Sequence, residues 1–223
     1  MKRFSLFLAL FNCFLFGNSL QAQHTITVKH TYYTLEYDTV LKSPLVSWYI
    51  QTTAHATSTH KIDRKSIAAF HQDPLIAARY QVANDENYRD NENYDKGHLS
   101  PFTAFDFDKT AAKESMYYSN TAPQCSFFNR HPWERLEQYI LKQLSPTTDS
   151  IFVYTGCLYG LNKMKDVPVP DYYWKVIEYK NGQECWLGPN LETTCSDYSV
   201  YHTDISILIT KIKSYYPYLN LPF

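Results

Sequence analysis

From His30 to Ala56 apolar and polar positions alternate, with Tyr33, Leu35 and Tyr37 in one run, Leu45, Val46, Trp48 and Ile50 in the next, and Lys42-Ser43-Pro44 between them. A period of two belongs to half-buried strands, so this region predicts two strands joined by a turn. The periodicity fades from His60 to Asp95, where Asp73-Pro74 and Asn91-Glu92-Asn93 signal turns; a long loop with a short strand near Arg79 to Val82 is expected. Asp106 to Tyr118 carries helix formers behind an aspartate able to cap them, and Tyr117 to Ala122 should return as a strand. Pro132 to Leu144 predicts a helix, with proline at its first position and Trp133, Leu136, Ile140, Leu141 and Leu144 forming one apolar stripe. Ile151 to Thr155 reads as a buried strand. Tyr173 to Tyr179 and Glu184 to Leu187 flank Lys180-Asn181-Gly182, a hairpin signal. Thr203 can cap a last helix running to Tyr215, stopped by Pro217. Strands and helices mix without regular alternation, which fits an α+β domain with a mainly antiparallel central sheet flanked by helices.

Composition sharpens this picture in three places. The chain of 223 residues is 44% apolar and 17% aromatic, enough for one folded domain with a full core. Met1 to Ala22 has the layout of a secretory signal peptide: Lys2 and Arg3, an apolar run from Phe4 to Gly17, then a polar exit ending in a small residue. The run is short for a membrane anchor, so residues 23–223 are expected to form the mature domain, secreted or periplasmic, with no membrane anchor. Export leaves Cys125, Cys157, Cys185 and Cys195, which suits two disulfides; Cys185 with Cys195 is the first choice by separation, leaving Cys125 with Cys157. The formal charge of -1 excludes a protein that grips nucleic acid over a long basic footprint and leaves room for a local positive cleft.

Candidate chemistry concentrates between Tyr94 and Glu137. His98 follows Asp95-Lys96-Gly97, and an imidazole titrates where it can take a proton from water at neutral pH. Glu137 lies about 40° round the helix from Trp133, inside the apolar stripe. A carboxylate there needs a partner, which a lysine or arginine, bound water or a hydrogen-bond network can supply. Glu134 and Arg135 fall at the edge of the stripe and opposite it. Asn129, just ahead of Pro132, is either turn and cap chemistry or a hard neutral oxygen ligand for Mg²⁺. Asn120 either ends a strand or orients a catalytic side chain. No Gly-x-Ser-x-Gly elbow and no nucleophile-like cysteine setting is present.

Asp-Lys-Gly-His with Leu-Ser-Pro, then Ser-Asn-Thr-Ala-Pro-Gln, then Phe-Asn-Arg-His-Pro-Trp-Glu-Arg-Leu-Glu, resemble in order and spacing the motifs of the DNA/RNA non-specific endonuclease family, the ββα-metal nucleases. Val153-Tyr154-Thr155-Gly156, Tyr173-Trp174-Lys175-Val176 and Gly188-Pro189-Asn190 resemble that family's later strands. The resemblance implies a ββα-metal active-site motif and DNA and RNA as substrates. It implies His98 as general base, Asn120 positioning it, Asn129 as direct ligand of one Mg²⁺, with Mn²⁺ as a substitute, and Glu137 holding metal-bound water. Lys96 stands where the family has arginine, which keeps the charge and loses the bidentate fork. Arg64 is the best match for the family's upstream phosphate-contacting arginine, with Arg79 as the alternative. A metal-dependent endonuclease with little sequence specificity is the expected function; a catalytically impaired nucleic-acid-binding or interaction protein is the alternative.

Overall fold

The alternating runs near the N-terminus pair as expected. The computed structural model describes residues 24–88, 93–221 and 223, so the expected signal peptide lies outside the described residues. Strands β1 (Thr25–Lys29), β2 (Tyr33–Asp38) and β3 (Ser43–Thr52) form an antiparallel meander. Strand β4 (Tyr94–His98) pairs with β5 (Thr121–Cys125), and later come β6 (Ser150–Met164), β7 (Val167–Tyr179) and β8 (Gly182–Pro189). The main sheet is six-stranded in the order β1-β2-β3-β6-β7-β8, antiparallel throughout, while β4 and β5 form a separate two-stranded ribbon. A hairpin closes β7 onto β8 as expected, but with Tyr179 paired to Gly182 the two loop residues are Lys180 and Asn181, and Gly182 opens β8 without the positive φ that an Asn-Gly turn uses. The helices flank the sheet, giving an α+β fold.

Burial explains the packing. Trp133, Trp174 and Trp186 are fully enclosed, along with Leu35, Leu45, Leu136 and Ile177. Such indoles each cover a large apolar area, so they set the spacing between sheet and helices. Gly156 sits opposite Trp174 across the β6–β7 ladder, and a Cβ there would run into the indole ring. The ribbon is tied to the main sheet by two side chains. Tyr173 donates to the Ala122 carbonyl at 2.9 Å. Buried Asn190 accepts from the Cys125 amide at 2.7 Å and donates to the Pro123 and Pro170 carbonyls. These bonds satisfy backbone groups that the two-stranded ribbon leaves unpaired.

Several elements depart from the sequence expectation. The segment near Arg79 is a 3-10 turn, Ala78–Tyr80, since buried Gln81 bonds the backbone of Asp73 and folds the loop on itself. The helix expected over Asp106 to Tyr118 is two short pieces, Phe102–Phe105 and Lys109–Glu114, because Asp108 turns back to cap Thr110 and Ala111. Residues 126–144 form one helical run in which Pro132 lies inside a π-helical stretch, Asn129–Trp133, rather than at the first position. The wider π turn takes in a residue without an amide donor. Asp204, not Thr203, caps the last helix, Ile205–Tyr215, accepting from the Ser206 amide.

The two expected disulfides do not form: Cys125, Cys157, Cys185 and Cys195 are all free. The Cys185 thiol is engaged with the Thr203 carbonyl at 3.0 Å, and Cys157 is sealed in the core against Tyr159 and Tyr173. Among the described residues no helix is long and apolar enough to cross a membrane.

Candidate active site

The ribbon and the helix that follows it build the site. In register, His98 faces Thr121 and Gly97 faces Ala122. Any side chain at Gly97 would collide with Gln124, so the close approach of the two strands requires glycine there. Immediately after β5 the chain enters the helical run 126–144, completing a strand–strand–helix unit. His98, Arg64, Asn129 and Glu137 all line one cavity of about 210 Å³, walled further by Pro101, Phe102 and Gln138. Arg130 and the exposed Glu134 stand at its edge, so Glu134 belongs to the site as well as to the surface.

His98 is half-buried, its Nε2 shielded from solvent and without a hydrogen-bond partner among the described residues. Burial pulls the imidazole down to about 3, helped by the positive charges of Arg64 and Lys96. The ring is therefore neutral at neutral pH. Phe70 packs on it at 5.2 Å between ring centres. The Arg64 guanidinium lies 5.4 Å from the ring centres of both Phe70 and Phe102, stacked on apolar surface with its donors free for a ligand. Arg79 instead covers Tyr80 at 4.4 Å and is not part of the cavity wall.

Asn120 makes its side-chain hydrogen bonds to backbone groups and not to the imidazole. It is fully buried; its Oδ1 accepts from the Ser100 amide at 3.0 Å, and its Nδ2 donates to the Ser100 and Ser115 carbonyls. It thereby fixes the backbone two residues beyond His98. Lys96 does not line the cavity either: its ammonium bonds Asp85 at 2.8 Å and lies over Phe70 at 4.9 Å. It acts on His98 through its charge.

Asn129 is held by Asp95, whose Oδ2 accepts from the amide nitrogen at 2.8 Å. The same carboxylate takes Arg130 through two guanidinium nitrogens, and Ser126 Oγ at 3.2 Å. With its nitrogen committed, the Asn129 amide offers its oxygen to a ligand. Glu137 turns inward as the stripe requires, and its partner is Lys175, Nζ to Oε1 3.6 Å. Lys175 is wholly buried, donates to Thr155 Oγ1 at 2.9 Å and sits 5.3 Å from the Trp133 ring centre. Burial lifts the Glu137 carboxyl to about 7, with Lys175 opposing the rise.

The donor set suits one kind of ion. Among the described residues no three His, Cys, Asp or Glu side chains cluster as metal ligands. One neutral amide oxygen, the Glu137 carboxylate and, at the edge, that of Glu134 line a cavity with room for water, a set that fits a hard divalent cation keeping most of its hydration shell. It does not fit zinc, which takes three or four nitrogen or sulfur ligands. Sequence reasoning missed Lys175, Thr155 and the anchoring role of Asp95. The one available signal was a lone cation in the apolar run Tyr173-Trp174-Lys175-Val176.

Comparison with known proteins gives the following matches. A family model described as DNA/RNA non-specific endonuclease matches residues 13–208. The mitochondrial nuclease of Saccharomyces cerevisiae is 30% identical over 114 residues, covering 50% of this chain and 33% of the relative. Nuclease 1 of Schizosaccharomyces pombe, also mitochondrial, is 26% identical over 180 residues, 74% of this chain and 54% of its own. The nuclease of Serratia marcescens is 28% identical over 162 residues, 69% of this chain and 58% of its own. The chain thus spans between a third and three fifths of these relatives. A crystal structure of the EndoG/EndoGI complex superposes with a TM-score of 0.74 at 24% identity, covering 87% of this chain and 86% of that one, and so shares the fold.

Proposed function

This chain belongs to the DNA/RNA non-specific endonuclease family, and from that premise we propose that it is an exported, metal-dependent endonuclease hydrolysing phosphodiester bonds of DNA and RNA with little sequence specificity. The observation that carries the proposal is the convergence of His98, Arg64, Asn129 and Glu137 on one cavity. Three of these come from a strand–strand–helix unit that the sequence lays out contiguously, and Arg64 arrives from the preceding loop.

The phosphate of the scissile linkage sits against Arg64, whose guanidinium meets two phosphoryl oxygens at once. Neutral His98 accepts a proton from the attacking water. Burial is the larger cause of its low basicity; the smaller part, from Arg64 and Lys96, is what a phosphate offsets, so substrate entry returns part of the ring's proton affinity. Asn120 holds the Ser100 backbone, and thus the exit from β4, so that the imidazole does not swing. Asp95 pins Asn129 and Arg130 together. Asn129 and Glu137 would hold Mg²⁺ or Mn²⁺, which supplies Lewis-acid stabilisation of charge on the phosphoryl group and leaving oxygen. Lys175 keeps one Glu137 oxygen occupied, so that the carboxylate works as a hydrogen-bond acceptor for water more than as a bare charge.

Purified protein incubated with supercoiled plasmid and with RNA tests the reading. Cutting of both in Mg²⁺, loss in EDTA and loss in His98→Ala with an unchanged melting curve are expected. Undiminished cutting in chelator, or binding with no cutting in either metal, rejects it. Export is checked by fractionating cells that express the full chain: the product should appear outside the cytoplasm, shortened by the leader.

A further inference from the structure

The geometry points to a second binding site next to the catalytic cavity, one that takes an unpaired nucleobase of the substrate strand; the inference rests on the endonuclease reading above. A separate cavity of about 240 Å³ lies on the neighbouring side of the helix start, lined by Ser126, Phe127, Arg130, His131 and Glu192. Its volume exceeds that of a purine ring system and lies a little below the roughly 300 Å³ at which drug-sized pockets begin. Arg130 lines both cavities and forms the ridge between them. Asp95 fixes this arginine through Nε and Nη2, which leaves the rest of a largely exposed guanidinium free. A fixed, exposed cation between two cavities is matched to the phosphate adjoining the one being cut.

Beyond Arg130 the wall is aromatic. Phe127 and His131 lie four residues apart on the helical run and face each other with ring centres 4.2 Å apart. Phe127 is half-buried and His131 exposed, so the pair presents ring surface to the cavity instead of closing into the core. Every base has a π-face, and stacking on such a platform is tolerant of sequence, which agrees with an enzyme of low specificity. Glu192, which lines the same cavity, suits exocyclic amino groups and repels phosphate, so the base enters and the backbone stays on Arg130. A paired base cannot leave its stack without cost. The site therefore favours single strands and RNA loops over intact duplex.

The test uses the full chain and two readouts. Cleavage of a single-stranded oligonucleotide is compared with cleavage of the same sequence as duplex, in wild type and in Phe127→Ala/His131→Ala. The ratio of single-strand to duplex kcat/KM should fall about tenfold in the double variant, through KM. In a His98→Ala background, 2-aminopurine placed one nucleotide from the scissile linkage should be quenched on binding, and the quenching lost when Phe127 is alanine. Unchanged ratio and unchanged quenching overturn the site even where cutting is robust. If wild type cuts neither substrate, the endonuclease reading fails, and the quenching still decides the base site.

Discussion

Glu137 Oε1 lies 3.6 Å from Lys175 Nζ, and that lysine has no exposed side-chain surface. The pair links a carboxylate in the cavity wall to the middle of β7, where Thr155 on β6 accepts a hydrogen bond from the lysine. Removing one partner of a buried pair strands the other charge, which costs more than removing both. Lys175→Met should destabilise the fold by about 3 kcal/mol, whereas Glu137→Gln/Lys175→Met should cost less than the sum of the single changes. Urea denaturation of the four proteins gives the coupling. Lys175→Met should also lower cleavage about 10- to 100-fold, as loss of a ligand-orienting partner does.

The same pair sets a pH dependence in metal-free protein. Burial raises Glu137 from 4.5 to about 7 in the folded state. A group with a raised folded value takes up a proton on folding, so its contribution is full below about 4.5 and is lost as pH rises through about 7. Buried His98, held down to about 3, contributes with the opposite sign up to about 6.5, so in EDTA it is the melting temperature of wild type relative to Glu137→Gln, not of wild type alone, that should fall across that window. A wild-type melting temperature that rises through the window with the same slope in Glu137→Gln would remove Glu137 as the cause.

Asp95 shows how one carboxylate can serve several groups. It bonds Asn129 Nδ2 at 2.8 Å and takes Arg130 and Ser126 besides. Asp95→Ala frees the Asn129 amide to rotate, so the oxygen offered to the ion is no longer fixed. The Mg²⁺ concentration for half-maximal cleavage should rise about 10- to 100-fold, with partial recovery at high Mg²⁺. Calorimetric titration of Mn²⁺ without substrate should show the same loss.

The thiols make a separate prediction. Exchange needs a thiolate, and burial pushes the Cys185 thiol up to about 11 and Cys157 further still. Since all four are unpaired in the fold, Cys125, Cys157, Cys185 and Cys195 should all react with a thiol reagent in denaturant without prior reduction, and dithiothreitol should leave the melting temperature unchanged. Fewer reactive thiols, or a reductant-sensitive melting temperature, would restore the disulfides expected from composition.

The contrast between these residues explains what the sequence made legible. His98, Asn129 and Glu137 lie within one contiguous stretch whose β4, β5 and adjoining helix form a single unit, so local spacing already encoded their meeting, while Asn120, just before β5, joins them only through the backbone. The strands β2, β3, β7 and β8 were legible from their alternation, which acts over a few residues, whereas the turn residues were not: Ser43 and Pro44 open β3 and the turn is 39–42, and Gly182 opens β8. Lys175 reaches Glu137 only through the pairing of β6 with β7 and the packing of the helix on that sheet, a contact that no local pattern records. The ion pair of Lys96 with Asp85 and the bonding of His30 and Ser119 to Asp73 are of this second kind. Pro132 misled because its usual place at a helix start reflects α geometry, and here the turn is π.

Asn120 carries the last prediction, because its role differs from contact with the base. Its three bonds hold Ser100 and Ser115, so its effect on His98 passes through the backbone. Asn120→Ala leaves buried groups unpaired and should cost about 2 to 3 kcal/mol; kcat should fall while KM for plasmid changes little, since Arg64 still meets the phosphate. Asn120→Asp is the sharper probe. Its carboxylate can accept from the Ser100 amide but cannot donate to the two carbonyls, and it buries a charge without a cation. It should therefore be less stable than Asn120→Ala at neutral pH and recover relative to it as the medium is acidified and the carboxylate takes up a proton. Thermal melts of both variants across pH, beside steady-state cleavage, decide it: equal stability at every pH would mean that Nδ2 donates to neither carbonyl.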